Sequence, residues 1–133
     1  MLKEATLTAF LATTDTERSK VFYTTVLGLS LMTEDSFALA LDCHGIELRL
    51  QKVDGFRPHT FTALGWKVRD IRAAIADLAG RGVDFERYAF LEQDAFGVWQ
   101  TPSGARVAWF KDPDGNLLSL TEIGSSPAEA STS

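Results

Sequence analysis

The sequence predicts an α+β fold built from two tandem βαβββ modules whose mixed sheets form a cup. Three observations predict it. The 133 residues suit one domain, placed at residues 1–124, that is large enough to bury a core. Apolar residues make up 45% of the chain and charged residues 23%, which is typical of globular proteins. Two stretches, residues 6–52 and 61–122, repeat one pattern, and a short polar segment at 125–133 is predicted to be a flexible tail.

The first module opens with an apolar strand over Leu7–Thr13. Thr14 and Glu17 then have the spacing of a capping box, in which both side chains satisfy free N–H groups at a helix start. Phe22 and Val26 share one face of the helix that follows. Three further strands, separated by turn residues, complete the module. They are Ser30–Thr33, Ser36–Leu41 and Ile46–Gln51.

The second module repeats this order. Its first strand is Phe61–Val68, and Asp70 is the predicted N-cap of a helix. A buried stripe is predicted at Ile71, Ile75 and Leu78. Gly28 and Gly82 supply the left-handed residues that end the two helices. Four strand candidates follow at Asp84–Tyr88, Gly97–Gln100, Arg106–Phe110 and Leu117–Glu122.

Composition excludes several classes of function. With 13 basic and 18 acidic residues the net charge is −5, so no basic field is available for nucleic acid. No apolar run approaches the roughly 20 residues of a membrane span. One cysteine, Cys43, and no signal-like start predict a cytoplasmic protein without disulfides. Two histidines, His44 and His59, are too few for zinc sites built from several His or Cys.

The strand at residues 46–51 divides into two faces. Ile46, Leu48 and Leu50 would cover a helix, and Glu47, Arg49 and Gln51 would point the other way. Two readings of the polar face remain open. It is either a solvated surface with an ion pair between Glu47 and Arg49, or the wall of a cup.

Aromatic residues concentrate on strands of the second module. They are Trp66, Tyr88, Trp99, Trp109 and Phe110. Aromatic side chains usually fill a core, but an open cup would use them as flat ligand walls. The register of the hairpin around Asp112 to Asn116 decides whether Trp109 or Phe110 faces the cup, and the sequence leaves this open.

Other residues that could be read as functional are better explained by structural roles. His44 lies in a predicted turn and His59 in the link between the modules, so both are expected at the surface. Cys43 has no motif that would make it a nucleophile. The run Asp112-Pro113-Asp114-Gly115 is better explained as a tight turn than as a carboxylate pair.

Two motifs carry a resemblance to a known family. Phe22-Tyr23 followed by Val26-Leu27-Gly28-Leu29, with residues 110–116 (FKDPDGN), resembles the vicinal oxygen chelate superfamily. This group contains glyoxalases, bleomycin-resistance proteins and extradiol dioxygenases. The resemblance covers about residues 5–123 and implies the glyoxalase-like fold. It also implies a homodimer.

In metal-dependent members of this family, four positions on the first and last strands of each module supply the ligands. The resemblance places Thr8, Glu47, Ala63 and Ser119 at these positions, so only Glu47 keeps a strong ligand. A divalent ion held by one carboxylate and hydroxyls would bind weakly. His59 is about 13 Å of strand from Ala63 and cannot substitute. We therefore expect no cofactor beyond a weakly held divalent metal.

Three functions follow as hypotheses. The first is a metal-free protein that binds an aromatic or drug-like organic molecule, as resistance members of the family do. Its ligand-binding residues would be Thr8, Glu47, Arg49, Gln51, Ala63, Trp66, Trp99, Trp109, Phe110 and Ser119. The second is a metal-dependent lyase, isomerase or dioxygenase with an atypical site around Glu47. The third is a partner-binding fold with a vestigial cup.

Overall fold

The fold contains two four-stranded mixed sheets, and each half of the chain also contributes an α-helix. A computed structural model describes residues 1–123, so the tail predicted at 125–133 lies outside the described residues. In the first half the elements are β1 (Thr8–Thr13), α1 (Thr16–Val21), β2 (Ser30–Glu34), β3 (Ala38–Cys43) and β4 (Ile46–Lys52). In the second they are β5 (Leu64–Lys67), α2 (Ile71–Gly80), β6 (Trp99–Gln100), β7 (Arg106–Lys111) and β8 (Leu117–Glu122). A short 3₁₀ helix (Leu2–Glu4) precedes β1, and a π-helical turn (Phe22–Val26) continues α1.

The two sheets share one topology. Their strand orders are β1-β4-β3-β2 and β5-β8-β7-β6, and in each the first strand runs parallel to the last. The remaining neighbours pair antiparallel. The prediction of two βαβββ modules is therefore confirmed.

The chain divides into two compact units that do not follow a single cut in the sequence. The first comprises Met1–His59 together with Asp112–Asn116. The second comprises Thr60–Lys111 and, among the described residues, 117–123. The turn between β7 and β8 thus belongs structurally to the first unit.

In each unit, most of the apolar side chains that the sequence pattern predicts to be buried are buried. In the first, Leu48 and Leu50 are 2% and 0% exposed, although Ile46, at the strand start, is 44% exposed. In the second, the stripe on α2 is buried as predicted. It consists of Ile71, Ile75 and Leu78. Asp70 caps α2 as predicted by accepting a hydrogen bond from the Ala73 N–H at 3.1 Å.

The start of α1 differs from the predicted capping box. Asp15 is the N-cap and accepts a hydrogen bond from the Arg18 N–H. The Thr14 hydroxyl instead donates to Asp114, a residue 100 positions away. Local spacing therefore predicts the start of α1 to within one residue. The Thr14 hydroxyl does not cap the helix, because it is hydrogen-bonded to the distant Asp114 carboxylate.

Several predicted strands differ from the structure: Ser36–Leu41 is shifted to Ala38–Cys43, and Gly97–Gln100 is reduced to Trp99–Gln100. Residues 84–88 form no strand, and Phe85 makes only an isolated bridge to Phe110. The strand predicted at 61–68 is confined to Leu64–Lys67. Gln93 takes over the bonding of the 84–88 segment: its side chain accepts from the Tyr88 N–H at 2.7 Å and donates to the Glu86 carbonyl at 3.0 Å.

A buried network of hydrogen bonds holds the turn Asp112–Asn116 in the first unit. The Asp112 carboxylate accepts from the Tyr23 hydroxyl at 2.7 Å and from the Asn116 side-chain amide at 2.8 Å. It also accepts from the backbone N–H groups of Asp114 and Asn116, both at 2.9 Å. Asn116 then donates to the Ala12 carbonyl on β1 at 3.0 Å. The turn is the tight turn predicted, with Gly115 at φ +87°, but it is also an anchor.

A second carboxylate of the same turn binds the start of α1. Asp114 accepts from the Thr14 N–H at 2.7 Å and from the Ser19 hydroxyl at 3.1 Å. Ser19 in turn lies 2.7 Å from the Thr13 hydroxyl. Thr13 and Ser19 are 1% and 0% exposed, so their hydroxyls cannot bond to solvent and rely on these hydrogen bonds instead.

The environment moves the pKa values of this network in different directions. Burial raises the pKa of Asp112, although the hydrogen bonds from Tyr23 and Asn116 oppose it. Burial, followed by the charge of Asp112, raises the pKa of Tyr23 well above its usual value. At Asp114 partial burial also acts to raise the pKa, but hydrogen bonds from Thr14 and Ser19 outweigh it and the net pKa is lowered.

Candidate functional site

The polar face of the first sheet brings together four of the predicted site residues. Parallel pairing of β1 with β4 sets Thr8 beside Glu47 and Ala12 beside Gln51, and Phe10 lies beside Arg49 between them. Since side chains alternate along a strand, these positions share the face that points away from α1. The structure thus places Glu47, Arg49 and Gln51 on one surface, as strand alternation predicts, and adds Thr8, which the family resemblance had named.

Glu47 and Arg49 form an ion pair on this face. Arg49 Nη1 lies 3.4 Å from Glu47 Oε2, and the two side chains are 30% and 33% exposed. A single contact of this length between partly exposed groups contributes only about 0–1 kcal/mol. A ligand amine or carboxylate placed here could replace either partner at small cost.

The corresponding face of the second sheet centres on Ser119. The side chain of Ser119 lies between Gly65 of β5 and Trp109 of β7 in the sheet register. A Cβ atom on Gly65 would come within 2.5 Å of the Ser119 Oγ, so the two strands approach closely here. Ala63 precedes β5, where its N–H donates to the Leu117 carbonyl at 2.8 Å.

Aromatic side chains continue this face beyond Ser119. The rings of Trp99 and Trp109 stack at 6.2 Å with an interplanar angle of 29°. Tyr88 meets Trp109 edge to face at 5.6 Å, and Phe90 lies 5.4 Å from Tyr88. The Trp109 indole N–H donates to the Thr62 hydroxyl at 3.1 Å, which fixes the orientation of the ring. We call Tyr88, Phe90, Trp99 and Trp109 the aromatic wall.

The register separates two predicted ligand contacts from this wall. Trp66 pairs with Leu120, and Phe110 pairs with Leu118, on the opposite face of the sheet. Phe110 is 0% exposed and lies 6.4 Å from Trp66 in a stacked arrangement. The question left open by the sequence is decided for Trp109: Phe110 is a core residue, and Trp66 is a half-buried residue on the same face as Phe110, opposite the aromatic wall.

The residues at the family's four metal-ligand positions do not fit a metal ion. Of Thr8, Glu47, Ala63 and Ser119, only Glu47 carries a carboxylate, and that carboxylate is paired with Arg49. Within residues 1–123 there is no group of three or more His, Cys, Asp or Glu side chains that could hold a metal ion. His44 and His59 are both exposed, as expected of surface histidines.

Two residues important to the site's surroundings were missed by sequence reasoning. Tyr23 and Asp112 form the buried core of the turn network, whereas the helical spacing drew attention to Phe22 and Val26. A tyrosine inside an otherwise apolar helical segment is a usable signal, because a buried hydroxyl requires a partner.

Comparison with known proteins agrees with this architecture. Residues 6–120 match the family model of the Glyoxalase/Bleomycin resistance protein/Dioxygenase superfamily. The chain belongs to this superfamily. No curated protein matches the sequence of this superfamily member.

Solved structures of the superfamily align over nearly the whole chain. A member from Sphaerobacter thermophilus is 26% identical, covers 92% of this chain and 99% of its own, and has a TM-score of 0.72. TnmS3, an antibiotic binding protein from Streptomyces sp. CB03234, is 26% identical, covers 93% and 99%, and has a TM-score of 0.68. Lactoylglutathione lyase from Agrobacterium tumefaciens is 16% identical, covers 90% and 93%, and has a TM-score of 0.69, so it shows the fold alone.

The helices are short relative to a bilayer. Between Met1 and Ile123, none is long and apolar enough to cross a membrane.

Proposed function

We propose that this superfamily member is a metal-free binding protein for a small organic molecule with a planar aromatic part. The observation that carries the proposal is the aromatic wall beside Ser119. Stacked indoles offer a flat apolar surface, and a ring placed against them gains about 0.5–1.5 kcal/mol beyond the burial of its area. The similarity to an antibiotic binding protein at 26% identity supports the binding of a small organic molecule.

Within the first unit, the polar face around Glu47 offers charged and hydrogen-bonding groups of the kind that orient a small ligand. Thr8, Glu47, Arg49 and Gln51 offer a hydroxyl, a carboxylate, a guanidinium and an amide within one strand pair. Binding sites typically combine mostly apolar walls with a few polar groups of this kind. The choice of Glu47 over Arg49 as ligand partner depends on whether the ligand brings an amine or an acid.

The test is a panel of planar aromatic compounds, each matched with its saturated cyclohexyl analogue. We expect aromatic members to quench tryptophan fluorescence and to raise the melting temperature. A ligand at 100 times its Kd stabilises the folded state by about 2.7 kcal/mol. The matched variants are Trp109→Phe, which should weaken binding, and Trp66→Phe, which changes a half-buried indole on the opposite face of the sheet and should leave the ligand affinity unchanged.

Two results would overturn this proposal. One is an unchanged melting temperature and fluorescence across the whole panel. The other is equal stabilisation by the aromatic compounds and their saturated analogues, since an aromatic wall should favour flat rings.

The alternative is a divalent-metal-dependent lyase, isomerase or dioxygenase with an atypical site. It rests on Glu47, which occupies a ligand position of the family. Elemental analysis of gently purified protein, with assays on glutathione thiohemiacetals and catechols, distinguishes the two. Stoichiometric Ni, Zn, Fe or Mn together with turnover would favour the enzyme. A cytoplasmic location stays a prediction under either function.

A further inference from the structure

The second unit contains a cavity of about 420 Å³ at the end of β6, within the range of about 300–1,000 Å³ that is usual for small-molecule sites. Four charged side chains line it: Arg72, Glu92, Asp94 and Arg106. Trp99 and Gln100 of β6 also line the cavity. Apart from Trp99, these residues are separate from those of the proposed aromatic site.

Hydrogen bonds hold one wall of the cavity in place. The Asp94 carboxylate accepts from the N–H groups of Phe96 and Val98 at 2.8 and 3.0 Å. Arg87 donates to the carbonyls of Asp94 and Ala95 at 2.7 and 2.8 Å. Since this loop is already ordered by its own bonds, a ligand would not have to supply the cost of ordering it.

The two arginines are held by different means. Arg106 donates to Glu122 at 2.6 Å, and this fixes its direction. Arg72 makes one 3.4 Å contact with Asp94 and lies 5.3 Å from the centre of the Phe96 ring. A guanidinium has five N–H donors, so most of those on Arg72 remain available to an added carboxylate.

A carboxylate and a side-chain amide of the cavity lining are also available to bind a ligand. Throughout residues 1–123, the Glu92 carboxylate makes no ion pair or hydrogen bond, and neither does the Gln100 side-chain amide. Both side chains line the cavity. The cavity therefore offers an unpaired carboxylate for a cation and a largely unpaired guanidinium for an anion.

The sum of these charges decides the class of ligand. Two arginines and two acidic residues cancel, so a simple anion would meet two carboxylates and a simple cation would meet two guanidinium groups. A molecule with one charge of each sign meets both attractions. We propose that this cavity binds a small zwitterion, with its carboxylate at Arg72 and its ammonium at Glu92.

The probes that test this are L-phenylalanine, 2-phenylethylamine and 3-phenylpropanoate, measured by isothermal titration calorimetry. They share one ring and differ only in which charges they carry. We expect L-phenylalanine to bind, and loss of either charged group to weaken binding on the order of tenfold or more. Stronger binding of either singly charged probe, or no binding of L-phenylalanine at 10 mM, would overturn the proposal.

Variants locate the binding. Arg72→Gln and Glu92→Gln should each weaken L-phenylalanine binding on the order of tenfold. Arg81→Gln is the matched control, because Arg81 follows the same helix but pairs with Asp77 at 3.3 Å, away from the cavity. Unchanged affinity in both cavity variants would place the ligand elsewhere and refute the assignment.

The proposal for the cavity and the proposal for the aromatic wall can be tested independently. Arg72→Gln should retain fluorescence quenching by the planar aromatic panel, because Arg72 is not part of the aromatic wall. Loss of zwitterion binding with retained quenching in this variant would therefore separate the two sites.

Discussion

Tyr23 shows how much one side chain can decide in a chain of this size. It is 0% exposed, and its hydroxyl is one of four donors that surround the buried Asp112 carboxylate. Removing one donor leaves a partly desolvated charge with one hydrogen bond fewer. The ring itself would still fill its place, so the effect of the hydroxyl can be measured alone.

We expect Tyr23→Phe to lower the free energy of unfolding by about 1–3 kcal/mol, the cost of leaving a buried polar group short of a partner. Urea denaturation followed by circular dichroism measures this. Tyr88→Phe is the matched control, and a surface change of this kind should stay within about 0.5 kcal/mol. Equal effects of the two variants would contradict the role assigned to Tyr23.

Asp114 and Asp112 contribute to acid stability with opposite signs. The folded-state pKa of Asp114 is lowered, so its contribution is present above the unfolded value of about 3.9 and is lost as pH falls through the folded value. The pKa of Asp112 is raised by burial, so its contribution is present below about 3.9 and is lost as pH rises through the raised value.

We therefore expect Asp114→Asn to be less stable than the natural protein at pH 7 and to lose less stability on acidification below about pH 4. Urea midpoints from pH 2.5 to 7 measure this. Asp54→Asn is the control, because within residues 1–123 the exposed Asp54 side chain makes no hydrogen bond or ion pair. An acid limb unchanged by Asp114→Asn, and identical to that of the control, would remove the role given to Asp114.

The roles of these residues could not be predicted from the sequence, for a physical reason. Tyr23 and Asp112 are 89 positions apart, and Thr14 and Asp114 are 100 apart. Spacing rules describe neighbours on one helix or strand, and they assign the Thr14 hydroxyl to the nearest free N–H groups. A contact between distant segments depends on the fold, which local spacing does not contain.

Among the elements, the parallel pair of β5 and β8 has the tightest fit described above. A Cβ on Gly65 would lie 2.5 Å from the Ser119 Oγ but 3.4 Å from the Ser119 carbonyl oxygen. The side chain of Ser119 is therefore the main obstacle, and the backbone is not. A double substitution can separate the two.

We expect Gly65→Ala to cost about 1–3 kcal/mol through overpacking. Adding Ser119→Ala should recover part of this loss, so that the double variant is more stable than the sum of the single effects by about 1 kcal/mol or more. Urea denaturation of the three variants provides the cycle. Gly55→Ala is the control, since a Cβ there meets nothing within 4 Å, and additive effects in the cycle would rule out the steric explanation.

The elements themselves were largely predictable from local pattern. Alternation at residues 46–51 identifies Leu48 and Leu50 as core, and both are buried. The stripe on α2 follows helical periodicity equally well. Residues 84–88 have a strand-like composition, but the Gln93 side chain bonds their backbone groups in place of a neighbouring strand. Composition describes the segment and does not identify its hydrogen-bond partners.

The site was predictable only in part for a similar reason. Strand alternation places Glu47, Arg49 and Gln51 on one face, and the register agrees. For Trp109 and Phe110 the same rule shows that they face opposite ways but does not say which one faces the core. Pairing of Phe110 with Leu118 decides it.

At the scale of the whole molecule, exposed apolar groups on edge strands favour self-association. Leu31 and Met32 on the edge strand β2 are 42% and 55% exposed, and Phe10 on the opposite edge strand is 55% exposed. Uncovered edges of this kind are usually protected by a partner.

We expect a homodimer of about 29 kDa, twice the chain mass of 14.6 kDa, in size-exclusion chromatography with light scattering. Dilution to nanomolar concentration should leave the mass unchanged if the interface is extensive. A mass near 14.6 kDa at every concentration tested would contradict the dimer.

The turn at Asp112–Asn116 also has a consequence for synthesis. The first unit needs this turn to satisfy Tyr23, Ser19 and the Ala12 carbonyl, but the ribosome adds it after more than fifty residues of the second unit. An emerging chain that ends near His59 therefore holds buried polar groups without their partners. The first unit therefore cannot complete this hydrogen-bond network during translation until Asn116 has been added, although its other residues are made before those of the second unit.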